Sequence, residues 1–318
     1  MRNKLFLCFT VFAAFLFFSC ATISEVSRSE KVSTSAPAVK SQLVSLHYDI
    51  KIVPTIKTPV DLTFLLPKNY SGHQKIVKET FSVEPAKIFI DGDNRYALFH
   101  FDSVKESQSL TLDFELAIQR YDWSTASKQM EPVQPLDTET FNTYTADEKY
   151  LETTNPLLVQ KAKELVGEDD NATVTNIHRF VTKYMKYSQY QPSDVGAFVA
   201  FKEKKGDCTD FTDLFVTLCR INKIPARFIE GYTTLGEGKE HGHAWAEVYI
   251  SDLGWVPFDP TWAASDYDTS LKKLRNMYVY MTTKRNDELL FNGHYFAWTW
   301  YNKLPLKVYE TRKVFYKN

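Results

Sequence analysis

The spacing of apolar residues changes near the middle of the chain, and this change limits the folds that the sequence can adopt. Residues 41–120 contain short β-favouring runs, separated by turn residues, in which apolar and polar side chains alternate. Beyond residue 150 apolar side chains recur at helical spacing, for example at Val174, Ile177 and Val181. A run of strands followed by helices predicts an α+β protein.

The chain divides into five consecutive segments of different character. They are, in order, an export signal, a flexible tether, a small antiparallel β-sandwich, a connector and a domain that contains the helices: residues 1–20, 21–40, 41–120, 121–149 and 150–318. Two strand-like runs near the end, 295–301 and 306–316, are expected to close the core of the last domain. The second helix of that domain is expected to be capped by Asn171.

The first twenty residues have the pattern of a secretory signal. A short basic stretch precedes an apolar run, Leu5 to Phe18, which is shorter than a comfortable membrane span. The run leads into Cys20, in a setting that resembles a bacterial lipobox, where the cysteine receives lipid. We therefore expect export and lipid anchoring through Cys20 in the bacterial cell envelope. Ala21 favours the outer membrane by the sorting pattern that it resembles, and an uncleaved signal anchor is the alternative.

The cysteine content predicts free thiols. Cys208 and Cys219 remain in the body of the chain once the signal and Cys20 are set aside. On one helix they would lie about 16 Å apart along its axis, beyond the roughly 7 Å that a disulfide spans between Cα atoms. An exported protein that keeps free thiols needs a reason for them, and chemistry is one such reason.

The first candidate catalytic residue is Cys208, which lies in the first turn of a predicted helix. Gly206 allows a sharp turn before it, and apolar residues at helical spacing follow it. The helix dipole and the free N–H groups of a first turn favour a thiolate and can receive a developing oxyanion. Asp207 and Asp210 oppose a thiolate, so a cationic partner is needed. Cys219 falls on the apolar face and is predicted to be an inert core residue.

A predicted hairpin can bring His243 and Asp259 together, depending on its register. If the loop has two residues, the two side chains point to opposite faces of the sheet. If the loop has three or five residues centred on Asp252, Asp259 lies opposite Trp245, on the face that carries His243. The spacing permits the pair without requiring it. With the pair formed, Cys208 is a nucleophile, His243 its base and acid, and Asp259 the group that orients His243.

Three motifs occur in order along this region: Gly206-Asp207-Cys208, His243-Ala244-Trp245-Ala246-Glu247 and Gly254-Trp255-Val256-Pro257-Phe258-Asp259-Pro260-Thr261. They resemble the core motifs of the transglutaminase-like superfamily, over about residues 150–265. The resemblance implies a papain-like α+β core, with helices packed on an antiparallel sheet, and Cys208, His243 and Asp259 as the catalytic triad. It implies little about the substrate, because the superfamily includes crosslinking acyltransferases, peptidases, amidases and inactive members.

Two further points stay open at the level of sequence. An additional oxyanion donor is usual in such sites, and three residues after the second helix could supply it: Tyr187, Tyr190 and Gln191. A zinc site formed by Cys208, His241 and His243 is an alternative to nucleophilic catalysis, but no Cys-x-x-Cys or His-Glu-x-x-His spacing accompanies these residues. We therefore expect no metal and no cofactor.

The favoured function is a cysteine-nucleophile enzyme that acts on amide or peptide bonds through a thioester. Hydrolysis is favoured over transfer to an amine, because transfer requires a site that holds the amine and excludes water. A surface-binding module that retains the fold without turnover is the alternative. The expected partners are the membrane and a peptide or protein substrate, with cell-wall, envelope-protein and dietary or host peptides all open. With 38 Lys and Arg against 39 Asp and Glu, no nucleic-acid partner is expected.

Overall fold

The N-terminal part of the structure is a set of antiparallel strands. The computed structural model describes residues 41–70, 72–122, 133–188, 193–234, 240–261, 273–274, 278–291 and 294–317. Seven strands come first: β1 Gln42–Pro54, β2 Thr58–Leu66, β3 Gln74–Phe81, β4 Lys87–Asp91, β5 Asn94–Val104, β6 Gln108–Ile118 and β7 Tyr121–Asp122. Buried and more exposed side chains alternate along β1 and β6, as the sequence predicts for strands with one face in a core.

Helices dominate the middle of the chain. They are α1 Thr138–Thr143, α2 Pro156–Glu164, α3 Asp170–Tyr184, α4 Ala197–Glu203 and α5 Cys208–Ile221, with the short parallel strands β8 Lys186–Tyr187 and β9 Lys205–Gly206 between them. The predicted cap of α3 is wrong. Asp169, not Asn171, accepts a hydrogen bond from the N–H of Ala172 at 2.6 Å. A carboxylate at this position also gains from the helix dipole, which an asparagine amide does not.

The C-terminal part of the chain returns to strands. They are β10 Ala226–Thr234, β11 Glu240–Ile250, β12 Gly254–Phe258, β13 Lys273–Leu274, β14 Val279–Thr282, β15 Phe296–Trp300 and β16 Leu306–Lys317, with a single turn of 3-10 helix at Glu288–Leu290. Within the described ranges, none of the helices combines the length and the apolar character needed to cross a bilayer.

Two four-stranded sheets form the β-sandwich that the sequence predicts. Their strand orders are β16-β1-β6-β3 and β15-β2-β5-β4. Inward-facing side chains from both sheets share one hydrophobic core, in which aromatic residues such as Tyr48, Phe64 and Phe114 are fully buried. The edge-to-face contact of Tyr48 with Phe64, at a ring-centroid distance of 4.9 Å, joins the two sheets, whereas its contact with Phe114 at 6.3 Å lies within one sheet.

The final two strands belong to the β-sandwich, and the expectation that they close the helical domain is wrong. β16 lies antiparallel to β1 along its length, from Leu43 opposite Lys317 to Pro54 opposite Leu306. β15 pairs with β2 in the other sheet. Val314 on β16 is buried in the sandwich core. Alternation along a strand indicates which face is buried, but it does not specify the neighbouring strand, so the sequence could not assign these strands to a sheet.

The helices pack on a third four-stranded antiparallel sheet, with strand order β12-β11-β10-β14. Helix α5 lies against β10 and β11, and α2, α3 and α4 pack around α5. Val174 and Ile177 of α3, Phe215 of α5 and Ala246 of β11 share the apolar core between these layers. This is the α+β arrangement, with helices on an antiparallel sheet, that the motif resemblance implied.

Candidate active site

Cys208 is the first residue of α5, and the local sequence fixes it there. The Asp207 side chain accepts a hydrogen bond from the N–H of Thr209 at 2.9 Å, while Asp210 Oδ2 accepts one from the N–H of Asp207 at 3.0 Å. A Cβ at Gly206 would overlap the Asp210 side chain, so this reciprocal cap requires glycine. In the first turn of the helix the N–H of Cys208 has no intrahelical acceptor and can face a ligand.

The two thiols of the described chain differ as the sequence predicts. Cys208 is partly exposed, whereas Cys219 is fully buried on the apolar face of α5. Neither forms a disulfide. Burial raises the pKa of the Cys219 thiol well above its ordinary value, which makes that residue chemically inert.

The β11–β12 hairpin has a three-residue loop, one of the two cases that bring His243 and Asp259 to one face. Ile250 pairs with Gly254, whose φ of 72° closes the turn in the left-handed region. This register places Asp259, the residue that follows β12, beside His243. The Nε2–H of His243 donates a hydrogen bond to Asp259 Oδ2 at 2.7 Å, and both side chains are buried.

His243 also shares a hydrogen bond with Cys208, so the three predicted residues converge. Asp259 occupies Nε2 of the imidazole, which leaves Nδ1 for the thiol. Burial lowers the pKa of His243, but the charge of Asp259 and the hydrogen bonds to Asp259 and Cys208 raise it more, to about 10. His243 is therefore a cation at neutral pH, and it is the positive partner that the acidic flank of Cys208 requires.

Asp259 has further partners that the sequence did not indicate. The Tyr278 hydroxyl donates to Asp259 Oδ2 at 2.6 Å, and the N–H of Thr261 donates to Oδ1 at 3.0 Å. The Nε2–H of His178 donates to the main-chain carbonyl of Asp259 at 3.2 Å. Asp259 is fully buried, so these donors replace the water that would otherwise solvate it. No local motif marks Tyr278 or His178, because both come from distant parts of the chain.

Aromatic rings form one wall beside His243. The Trp245 ring lies nearly parallel to the imidazole, with ring centroids 6.0 Å apart. Tyr278 and Tyr280 meet Trp245 edge-on at 5.1 and 4.9 Å. All three of these side chains are buried. Trp245 thus packs beside the imidazole, and the two tyrosines pack against Trp245.

Among the predicted oxyanion donors, the structure describes Tyr187. Its strand β8 pairs with β9, where Tyr187 lies opposite Gly206, two residues before Cys208. Its side chain is 63% exposed. Partial burial and then the nearby charge of Cys208 raise the pKa of the Tyr187 phenol, which keeps it a hydrogen-bond donor at neutral pH. Tyr190 and Gln191 lie outside the described residues, and the identity of the donor stays a prediction.

A buried ion pair supports each of the two elements that carry the site. Arg285 donates to Asp213 of α5 at 2.7 and 3.0 Å and to Asp194 at 3.0 Å. Arg227 of β10 donates to Glu247 of β11 at 2.9 Å. Glu247 belongs to the same motif as His243 and follows it by four residues on β11. Because every second side chain of a strand lies on the same face, the sequence indicates that the two residues face the same side of the sheet.

Metal ligation was the alternative use of these residues. Among the side chains that the structure describes, no group of three or more His, Cys, Asp and Glu is arranged to hold a metal ion. The zinc alternative includes His241, whose side chain lies outside that description. The predicted lipidation site, Cys20, lies outside it as well.

Part of the chain that carries this site matches a known family. Residues 159–260 match the family model of the transglutaminase-like superfamily. This segment is a transglutaminase-like domain. It contains Cys208, His243 and Asp259. A segment of the chain is also 41% identical over 75 residues to YebA, an uncharacterized protein of Bacillus subtilis. That match covers 19% of this chain and spans about a tenth (10%) of YebA.

One solved structure shares the wider fold around the transglutaminase-like domain. A candidate cysteine protease from Cytophaga hutchinsonii superposes with a TM-score of 0.62 and 18% identity, over 87% of this chain and 91% of that chain. The periplasmic domain of TgpA from Pseudomonas aeruginosa, bound to ethylmercury, is a weaker match, with a TM-score of 0.42, 17% identity and coverage of 71% and 75%. The first likeness extends the shared fold to the β-sandwich, and at such identity it concerns the fold alone.

Proposed function

We propose that this chain is a cysteine-nucleophile enzyme that cleaves amide or peptide bonds through a thioester. The observation that carries the proposal is the hydrogen-bonded series from Cys208 through His243 to Asp259, at the start of a helix. A partly exposed thiol beside a buried, protonated imidazole has the chemistry of a nucleophile, and a buried carboxylate that orients the imidazole completes the arrangement.

The proposed reaction has two stages. In the first, the Cys208 thiolate attacks the carbonyl carbon of the substrate, and the N–H groups at the start of α5 receive the oxyanion. The C–N bond then breaks, and the imidazolium of His243 gives its proton to the departing amine. In the second stage His243 takes a proton from water, the resulting hydroxide attacks the thioester, and the S–C bond breaks. A carboxylic acid leaves, and the thiolate–imidazolium pair is restored.

Hydrolysis is the proposed outcome, rather than transfer of the acyl group to an amine. Transfer requires a site that holds the amine and keeps water from the thioester. Cys208 is instead partly open to solvent, which supports access by water. The proposed substrates are peptides or proteins, with cell-wall peptides among the candidates.

We further propose that the enzyme works in the bacterial cell envelope, held by lipid on Cys20, with the outer membrane favoured. The support is the signal-like pattern of residues 1–20. Partition of the full-length chain into the detergent phase of Triton X-114 tests the anchor, with Cys20→Ser as the control. Loss of partition in the variant, with loss of the lipid mass at the N-terminus, is the expected result. Equal partition of both proteins would contradict lipidation at Cys20.

The reaction is tested with peptide and muropeptide substrates. Mass spectrometry should detect new amino and carboxyl termini with the wild-type chain and none with Cys208→Ser, whereas Cys219→Ser should retain the activity. An added primary amine distinguishes the two reactions, because hydrolysis leaves a free carboxylate and transfer leaves the amine attached. If Cys208 reacts with iodoacetamide no faster than glutathione at any pH, the enzyme proposal fails and an anchored binding module becomes the better description.

A further inference from the structure

The carboxylate of Asp259 is held by more than His243. Oδ2 accepts from His243 and from the Tyr278 hydroxyl, at 2.7 and 2.6 Å. Oδ1 accepts from the N–H of Thr261 at 3.0 Å. Asp259 has no solvent exposure, and Tyr278 is 7% exposed. Because Tyr278 and His243 share one oxygen, the phenol fixes the rotation of the carboxylate and hence the direction of its bond to the imidazole.

Tyr278 depends on outside support, because it precedes a short edge strand. Among the strands that the structure describes, β14 is at the edge of its sheet and pairs with β10 through a bulged register near Gly231. Its other edge faces the β-sandwich. At the start of β3, the Nε2–H of His73 donates to the Tyr278 carbonyl at 2.8 Å. His73 is 3% exposed.

The next residue of the sandwich completes this attachment. The amide of Gln74 donates from Nε2 to the carbonyl of Tyr280 at 3.0 Å and accepts at Oε1 from the N–H of Tyr280 at 2.9 Å. The Tyr70 ring stacks on the Tyr280 ring at 4.1 Å. Both backbone groups of Tyr280 are thus held by one buried side chain, as they would be by a neighbouring strand.

We propose that Tyr278 is a positioning residue for the triad, and that the β-sandwich holds it in place through His73 and Gln74. The inference rests on the proposed function of Cys208, His243 and Asp259. The sandwich therefore has a part in the reaction through its contacts with Tyr278 and Tyr280. It holds the backbone of β14 and of Tyr278, the residue before that strand. The phenol of Tyr278 orients Asp259, and Asp259 in turn orients His243 and stabilises its positive charge.

The test measures the rate of Cys208 alkylation by iodoacetamide from pH 5 to pH 10, on the full-length chain, by peptide mass spectrometry. Tyr278→Phe removes only the hydroxyl. We expect its alkylation at pH 6–7 to fall about 10-fold or more, the usual effect of losing a hydrogen bond to a charged group. We also expect its profile to move to higher pH, because a poorly oriented Asp259 supports the imidazolium less well.

Tyr280→Phe is the matched control. It removes an equally buried phenol two residues away, which donates to Glu247 at 2.9 Å and not to Asp259. A purely structural role of these tyrosines would lower the Tm of both variants and leave both pH profiles unchanged. The inference requires the profile of Tyr278→Phe to move and that of Tyr280→Phe to coincide with the wild type.

The role of the sandwich is tested by variants at its two contacts. His73→Leu should move the profile in the same direction as Tyr278→Phe and add nothing to it in the double variant, since both act through the same hydroxyl. His73→Gln, which keeps a donor, should restore part of the wild-type profile. If His73→Leu does not fold, Gln74→Met tests the same attachment of β14 to the sandwich and should move the profile in the same direction. Additive effects of His73→Leu and Tyr278→Phe would overturn the proposed role of the sandwich.

The outcomes separate this inference from the proposed function. If wild-type Cys208 reacts no faster than glutathione at any pH, the proposed function fails and this inference fails with it. If wild-type Cys208 reacts rapidly and Tyr278→Phe follows the profile of the wild type, the inference alone is overturned. A displaced profile in Tyr278→Phe, with Tyr280→Phe unchanged, supports both.

Discussion

Ala246 lies opposite Phe258 across the β11–β12 hairpin, and this pairing brings Asp259 beside His243 at the end of the strand. A shift of one residue would turn the side chain of Asp259 to the other face of the sheet. The contact between the imidazole and the carboxylate therefore depends on the three-residue loop, 251–253, that precedes Gly254.

Replacing Asp259 with asparagine tests this contact. The substitution keeps the size of the side chain and removes the charge that raises the pKa of His243. We expect the rate of Cys208 alkylation by iodoacetamide at pH 7 to fall by roughly 100-fold. Asp252→Asn, in the exposed hairpin loop, is the control and should leave the rate unchanged. A rate for Asp259→Asn within twofold of the wild type would contradict the proposed role of Asp259.

The pKa of His243 predicts how stability depends on pH. The pKa is raised from 6.5 to about 10 in the folded chain, so protonated His243 stabilises the fold. This contribution is complete below pH 6.5 and is lost as the pH rises through about 10. Urea denaturation at a series of pH values should therefore give a difference in unfolding free energy between wild type and His243→Ala that shrinks from pH 6 to pH 10.

The same series has an internal control. Asp259→Asn removes the main cause of the raised pKa of His243. When His243→Ala is compared with His243 in this variant background, the pH-dependent part of the difference in unfolding free energy should disappear. A difference between wild type and His243→Ala that grows with pH would mean that His243 is neutral in the folded protein, and the sign of the predicted effect would be wrong.

The buried pair of Arg227 and Glu247 predicts a large loss of stability on removal of one charge. Both residues are less than one-tenth exposed. Glu247→Gln should lower the free energy of unfolding by about 3 kcal/mol, because it leaves the buried Arg227 guanidinium with the half-exposed Asp93 carboxylate, 3.2 Å away, as its remaining charged partner among the described ion pairs. The measurement is chemical denaturation at pH 7. Glu164→Gln removes one charge of the exposed pair with Lys161, and it should give no measurable change.

The assignment of β16 to the sandwich predicts opposite results for two adjacent residues. Val314 faces the core and is 3% exposed, whereas Phe315 is 52% exposed. Val314→Asp should lower the free energy of unfolding by roughly 3 kcal/mol or more, because a buried carboxylate finds no partner there. Phe315→Asp should change it by no more than about 0.5 kcal/mol. Equal effects at the two positions would be inconsistent with the observed register of β1 and β16.

Local sequence was sufficient for the start of α5. Gly206, Asp207 and Asp210 lie within four residues of one another, and together they set the turn, the cap and the position of Cys208. Helix capping depends on neighbouring residues alone, so it can be read from the chain. The same reasoning separated Cys208 from Cys219, because the period of a helix distinguishes its first turn from its apolar face. Local sequence did not determine which of several neighbouring polar residues caps α3, since Asp169 and not Asn171 occupies that position.

The sequence determined that the chain has a β-rich part followed by helices, and it singled out Cys208, His243 and Asp259, which the fold brings together. Only the tertiary structure decided which register joins His243 to Asp259, that Tyr278 holds Asp259, and that β16 returns to β1. The physical reason is common to all three. Alternation and capping are set by residues close in sequence, whereas strand pairing and buried hydrogen bonds join residues far apart, and many pairings satisfy the same local pattern.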